Sequence, residues 1–235
     1  MRAFAAVLVI ATAACSQRVY SPPSQAYSLG PLTALPRGSQ ALDLEVSRHA
    51  QIFDPAIEAG AARLRVGVDG NTELSIEGSA LTVDDDGPSS ANRNLYSGRT
   101  GIRWSPKPGV ALFGGLGGGY APAGGTFAAG DAGIAVGYHN CTLVPVAQVS
   151  GFASVPLEAT AVDVSVDDKT KVFDTPGRTA GVVVRGGLRL SLAPSTCRSG
   201  KPSSWITVGA GFTTLKDADS SAALFGLGLG LELPL

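Results

Sequence analysis

Ser47 and His49 lie two residues apart early in the patterned part of the chain, and Asp131 begins another patterned stretch. Hydroxyl, imidazole and carboxylate are the parts of an acyl-transfer triad. No motif surrounds them, and the plainer reading makes His49 a hydrogen-bonded interior side chain. His139 stands alone in a turn. No cluster of His and Cys has metal-ligand spacing, so no metal site is expected. The run "GGLGGGY" at 114–120 contains GxGxxG-like spacing. No helix follows it, so its glycines read as strand residues rather than as a phosphate loop. Asp84, Asp85 and Asp86, with Asp163, Asp167, Asp168 and Asp174, make an acidic rim in two loops. Such oxygen ligands suit calcium, but a solvated loop surface is the ordinary reading. The chain is expected to be no enzyme and to need no cofactor.

The charged residues inside the patterned stretches say more. Arg63, Arg65, Arg99, Arg103, Arg185 and Arg189 are matched in number by Asp43, Glu45, Glu73, Glu77, Asp131 and Glu232. All the lysines (Lys107, Lys169, Lys171, Lys201, Lys216) fall in predicted turns or loops. A soluble barrel would carry lysines on its outward strand face. The planar fork of arginine holds a carboxylate through two bonds at once. Unpaired buried charge is prohibitive. Balanced arginines and carboxylates therefore predict ion pairs crossing a narrow lumen.

The elements that would position them alternate with period two, the period of a β-strand. Leu42, Leu44 and Val46 oppose Asp43, Glu45, Ser47 and His49. Leu64 and Val66 oppose Arg63 and Arg65; Leu74 and Ile76 oppose Glu73, Ser75 and Glu77. Ile102 and Trp104 oppose Arg99 and Arg103. Further segments run through 110–120, 131–138, 143–154, 184–192 and 206–212, and the tenth is "FGLGLGLELPL" at 225–235. Arg48 is an exception, since it falls on an apolar face. Connections after the second, fourth and sixth segments are short ("GN", "SPKPG", "HNC"). Those after the third, fifth and seventh are longer, and the eighth breaks the pattern by being long. Residues 155–177 read as a projecting hairpin.

The chain of 235 residues suits one large β domain. Only 16% of residues are charged, against roughly 25% in soluble domains. No apolar run reaches the roughly 20 residues of a spanning helix. A net charge of -1 excludes a general basic surface for nucleic acid.

Arg2 and the apolar residues 3–14 read as an export signal, too short to span a bilayer. The run ends in "TAAC", which looks like a bacterial lipobox and implies a lipid on Cys15. Thr12 stands where such motifs carry Leu, Val or Ile. A plain cut after Ala13 is the alternative. Residues 15–37 read as a lipidated tether and 38–235 as the barrel. The remaining cysteines, Cys141 and Cys197, fall in connections on the same predicted side, and an exported compartment favours their disulfide.

From about Gly38 to its end the chain resembles a small bacterial outer-membrane β-barrel of eight to ten strands. It departs from such barrels in ending Leu233-Pro234-Leu235 rather than on an aromatic residue. The resemblance implies an all-β, antiparallel, up-and-down transmembrane barrel of about ten strands. Short turns and both termini would be periplasmic, and the leucines would face lipid. Tyr96, Tyr120, Phe212 and Phe225 on one rim, with Trp104 and Tyr138 on the other, resemble interfacial girdles. The expected function is anchoring or scaffolding a larger envelope assembly through the 155–177 loop or the periplasmic turns. Two alternatives stay open: a narrow channel for small solutes, and a soluble periplasmic lipocalin-like protein with its apolar face inward.

Overall fold

The structure, a computed structural model, describes residues 29–50, 56–84, 94–121, 125–138, 140–163, 173–198, 202–218 and 221–235. In chain order the strands are β1 (Gln40–Ala50), β2 (Ala56–Gly67), β3 (Thr72–Asp84), β4 (Asn94–Lys107), β5 (Val110–Ala121), β6 (Gly125–Gly137) and β7 (Leu143–Ala159). The short pair β8 (Val162–Asp163) and β9 (Phe173–Asp174) follows, then β10 (Thr179–Ser191), a helical turn α1 (Pro194–Arg198), β11 (Trp205–Lys216) and β12 (Ser221–Pro234). All but β8 and β9 form one closed barrel, in the order β1-β12-β11-β10-β7-β6-β5-β4-β3-β2. Every neighbouring pair is antiparallel. Closure is made where β1 pairs with both β2 and β12, so that Asp43 lies opposite Arg63 on one side and Glu232 on the other.

Sequence chemistry explains the corners. The β2–β3 turn is tight because Gly70 takes a φ of 82°, a conformation open to glycine. The Asp69 carboxylate accepts the backbone N–H of Asn71 at 3.0 Å and of Thr72 at 2.7 Å. Those donors, Asn71 first, hold its carboxyl below the ordinary carboxylate range. At the β4–β5 turn Gly109 has a φ of 84°, and a Cβ there would stand 2.5 Å from the Gly137 carbonyl oxygen.

One end of the barrel, here the near end, holds both Gln40 and Leu235, whose N–H donates to the Gln40 carbonyl at 3.0 Å. The turns after β2, β4 and β6 are at this end, with the longer connection after β10. The other end is the far end. There β8 and β9 pair antiparallel in the connection between β7 and β10.

Alternation puts two different surfaces on the wall. Leu44, Val46, Leu64, Leu74, Ile76, Ile102, Leu112, Leu116, Val184, Leu188, Val208, Leu227 and Leu229 are all exposed on the outside. Inside, Arg63, Arg65, Glu73, Glu77, Arg99, Arg103, Arg185 and Arg189 are buried. Two apolar clusters lie inside, one toward each end of the lumen. The near one joins Leu29, Leu32, Ala111, Phe113, Ala135, Val144, Val146 and Trp205; the far one joins Phe152, Val183, Leu215 and Leu224.

Candidate functional site

The lumen is the candidate site, and strand register builds it. Glu232, Asp43, Arg63, Glu77 and Arg99 are successive partners across β12, β1, β2, β3 and β4. Carboxylate and guanidinium thus alternate along most of one row, apart from the opening Glu232–Asp43 pair. Arg63 Nε donates to Glu77 Oε2 at 2.7 Å and its Nη1 stands 3.6 Å from Asp43 Oδ2.

A second group lies toward the near end. Arg65, 1% exposed, places Nη1 2.9 Å from Glu73 Oε2, Nε 2.9 Å from Asp43 Oδ2 and Nη2 2.7 Å from Glu232 Oε2. Only the Glu73 contact is an aligned hydrogen bond; the other two are charge contacts with the N–H directions off axis. Arg103 Nε stands 3.2 Å from Glu73 Oε1, and Arg189 Nη2 donates to Glu232 Oε2 at 2.6 Å. Two of the guanidinium groups lie over rings: Arg103 over Phe113 at 5.2 Å and Arg189 over Trp205 at 5.0 Å. Glu45 and Arg185 complete the set on inward positions of β1 and β10.

Arg99 reaches further. It spans β5 to bind Asp131 on β6, with Nε to Oδ1 and Nη2 to Oδ2 both 2.7 Å. The bare wall makes this possible. A Cβ on Gly115 would lie 2.5 Å from Arg99 Nη2, so a side chain there would force the guanidinium to shift from its present position.

Ser47 Oγ and His49 Nε2 are 3.2 Å apart inside the lumen. Asp131 is on the diametrically opposite strand with both oxygens engaged by Arg99, so the three residues do not assemble into a triad. Among the described residues no group of three His, Cys, Asp or Glu could hold a metal. His139, Cys15, Asp85, Asp86, Asp167 and Asp168 lie outside the described residues. Cys141 and Cys197 are joined by a disulfide, with Cα atoms 5.5 Å apart. The bond staples the β6–β7 turn to α1, and Cys197 packs on the near apolar cluster.

Gln148 is 2% exposed and neither of its amide atoms has a protein partner. Glu58 faces outward and pairs with Arg48 at 3.4 Å, which accounts for an arginine on the apolar face. Most unexpectedly, residues 29–37, the end of the stretch read as a tether, enter the near mouth. Leu32 is 1% exposed, and Leu29 and Leu35 are buried. Arg103 Nη1 donates to the Pro31 carbonyl at 2.7 Å, and the Leu35 N–H donates to Glu73 Oε2 at 3.2 Å. Burying each leucine contributes about 1.5–3 kcal/mol.

A gap beside Asp43, Glu45, Arg189 and Glu232 has a volume of about 20 Å³, room for about one water.

An outward face of leucine, valine and isoleucine around a lumen of paired charges is stable against lipid tails and not against water. The chain is a transmembrane β-barrel. Among the described residues no helix is long and apolar enough to cross a membrane; the strands do the crossing. The lipocalin-like alternative is overturned here, because it needs the leucines inside and the arginines outside. The aromatic residues Tyr96, Tyr120 and Phe212 are exposed toward the far rim, and Trp104 and Tyr138 toward the near one.

No protein-family model matches the sequence, and no curated protein sequence does. Solved structures that are similar include the N-terminal β-barrel domain of OprF from Pseudomonas aeruginosa, at 9% identity and TM-score 0.35, covering 84% of this chain and 98% of that one. The β domain of the Bordetella autotransporter BrkA matches at 11% identity and TM-score 0.43, covering 83% and 98%. Ail, the attachment invasion locus protein of Yersinia pestis, matches at 13% identity and TM-score 0.31, covering 84% and 99%. At such identities no chemistry passes from them to this chain.

Proposed function

We propose that this chain is a lipoprotein barrel of the bacterial outer membrane, non-enzymatic, that anchors or scaffolds a larger envelope assembly. The observation that supports it best is the filled lumen. Ion pairs cross its middle, apolar clusters occupy both ends, and residues 29–37 occupy the near mouth. Among the described residues such filling favours neither a solute path nor a substrate cleft, and leaves the turns, the loops and the lipid-facing wall as the surfaces for partners. On this reading the near end, with both termini, is periplasmic, and a lipid on Cys15 adds a second attachment to the same membrane. The partner-facing surfaces are the connection between β7 and β10 at the far end and the disulfide-stapled turns at the near end.

The test is purification of the tagged full chain in mild detergent after cross-linking in cells, with the recovered barrel also recorded in planar bilayers. The proposal expects an envelope protein in fixed stoichiometry and no discrete conductance. A barrel recovered alone that gives stable conductance steps would establish the narrow-channel reading instead.

A further inference from the structure

The outer wall carries an apolar belt of unequal height. On β7 the outward residues from Leu143 to Val155 are all exposed and none has a polar side chain. On β1 the outward residues are Gln40, Leu42, Leu44, Val46 and Arg48, so only three apolar positions separate two polar ones. A strand rises about 3.3 Å per residue and tilts by about 35–45° in such barrels. The twelve-residue step on β7 therefore covers roughly 30 Å of membrane depth, and the eight-residue step on β1 roughly 20 Å. The apolar band of an outer-membrane barrel is about 25 Å tall. It fits within the β7 step and does not fit between Gln40 and Arg48.

The missing height falls at the far end. Gln40 pairs with Val66 and accepts the Leu235 N–H, and the apolar surface runs past it through exposed Val68 and Leu235. Beside Arg48 it stops. Arg48 lies opposite Glu58, Glu58 opposite Thr82 and Thr82 opposite Asn94, one continuous row across β1–β4. Thr82 Oγ1 donates to Asn94 Oδ1 at 3.0 Å, and the Arg48 contact to Glu58 is long, at 3.4 Å. The side chains of Arg48 and Glu58 are 62% and 58% exposed. A guanidinium has five N–H donors, and hydrocarbon would satisfy none of those that Glu58 leaves over. Polar groups from outside the chain have to complete the row.

We infer that the row Arg48–Glu58–Thr82–Asn94 is a contact surface for lipid headgroups, and that the leaflet at the far end is drawn down beside β1 and β2, leaving a thinner membrane there than beside β7. This goes beyond the anchoring role and rests on the membrane barrel. The surface carries both signs of charge, a hydroxyl and an amide. It therefore fits a layer of zwitterionic headgroups and their water rather than a single bound anion. Compressing one leaflet locally is cheaper than holding two charged side chains in hydrocarbon.

The test places a nitroxide on the full chain through Val46→Cys, the last apolar outward position before Arg48, or through Val149→Cys, midway along the β7 run. Both valines are exposed on the outer wall. The protein is reconstituted in phosphatidylcholine vesicles. Collisions of the label with oxygen, which concentrates in hydrocarbon, are compared with collisions with a membrane-impermeant nickel chelate. Cys141 and Cys197 are bonded to each other, and the unsubstituted chain gives any background signal. The nickel-to-oxygen ratio is expected to be several-fold higher for Val46→Cys than for Val149→Cys. Arg48→Leu with Glu58→Leu in the Val46→Cys chain is expected to lower the ratio toward the Val149→Cys value, because nothing then holds the headgroups down. Equal, oxygen-dominated ratios at the two positions would overturn the inference and leave the membrane barrel standing. So would a Val46→Cys ratio that the double replacement leaves unchanged. Should the double replacement yield no heat-modifiable band, the comparison of the two positions decides alone. Nickel-dominated collisions at both positions would overturn the membrane barrel, and the inference with it.

Discussion

Arg99 lays its guanidinium across the whole width of β5 to hold Asp131 through two 2.7 Å hydrogen bonds. The side chains of both are almost fully buried. Such a pair is costly to break from one side, because the partner is left as an uncompensated charge. Arg99→Ala or Asp131→Ala alone is therefore expected to lower stability by about 3–5 kcal/mol. The double variant should lose clearly less than the sum. Urea titration in detergent, following the unboiled gel band, measures all three.

The same pairing makes the glycines of the wall unequal. Gly115→Ala would push its Cβ into the guanidinium of Arg99, and it is expected to destabilise by displacing that bond from Asp131. Gly78 faces outward with nothing within 4 Å of its missing Cβ. Gly78→Ala should stabilise by about 0.5–1 kcal/mol, the entropic penalty of a strand glycine. The two midpoints, measured side by side, must move in opposite directions.

Ile76 is 66% exposed on the outer face of β3, between Leu64 and Thr100. Against lipid, Ile76→Arg is expected to cost about 2–4 kcal/mol. Against water the same change would be neutral or favourable to solubility. Folding yield into lipid vesicles, compared with the native chain, separates these outcomes. Arg48 is the natural control, since it lies near the far rim and has Glu58 beside it.

The Cys141–Cys197 bond closes a loop of 56 residues in sequence separation. Cys141→Ser with Cys197→Ser is expected to lower stability by about 2–4 kcal/mol. Because Cys197 packs on the cluster that includes Leu29 and Leu32, the loss should fall first on the near mouth. Hydrogen exchange at Leu32 and Leu35 should rise before exchange in mid-strand amides of β2 and β3.

The wall of this barrel was legible because leucine alternates with charge or glycine along most strands. Legibility failed where polarity did. At the far end of β2, Ile57 packs with the inward apolar cluster and Glu58 points out, so the pattern there inverts and the strand extends seven residues beyond its first clear arginine. Phe152, Val183, Leu215 and Leu224 turn inward on strands that are also apolar outside. Period-two reading cannot separate two apolar faces. The entry of residues 29–37 into the lumen had no periodic signal at all, since it depends on wall glycines far away in sequence. Those glycines were visible, but they read equally well as room for the wall's own arginines. The ion pairs were foreseeable as a set from matched numbers. Which carboxylate each arginine takes depends on register and on reach, as Arg99 passing over Gly115 demonstrates.

The most direct measurement is the mobility of the membrane-fraction protein on an SDS gel, boiled against unboiled. A band that migrates as a compact form until boiled is the expected result, since a closed ladder of hydrogen-bonded strands with a lipid-facing exterior resists detergent. Identical mobility in both lanes, with the protein recovered in the soluble fraction, would contradict a lipid-facing wall and with it the membrane barrel.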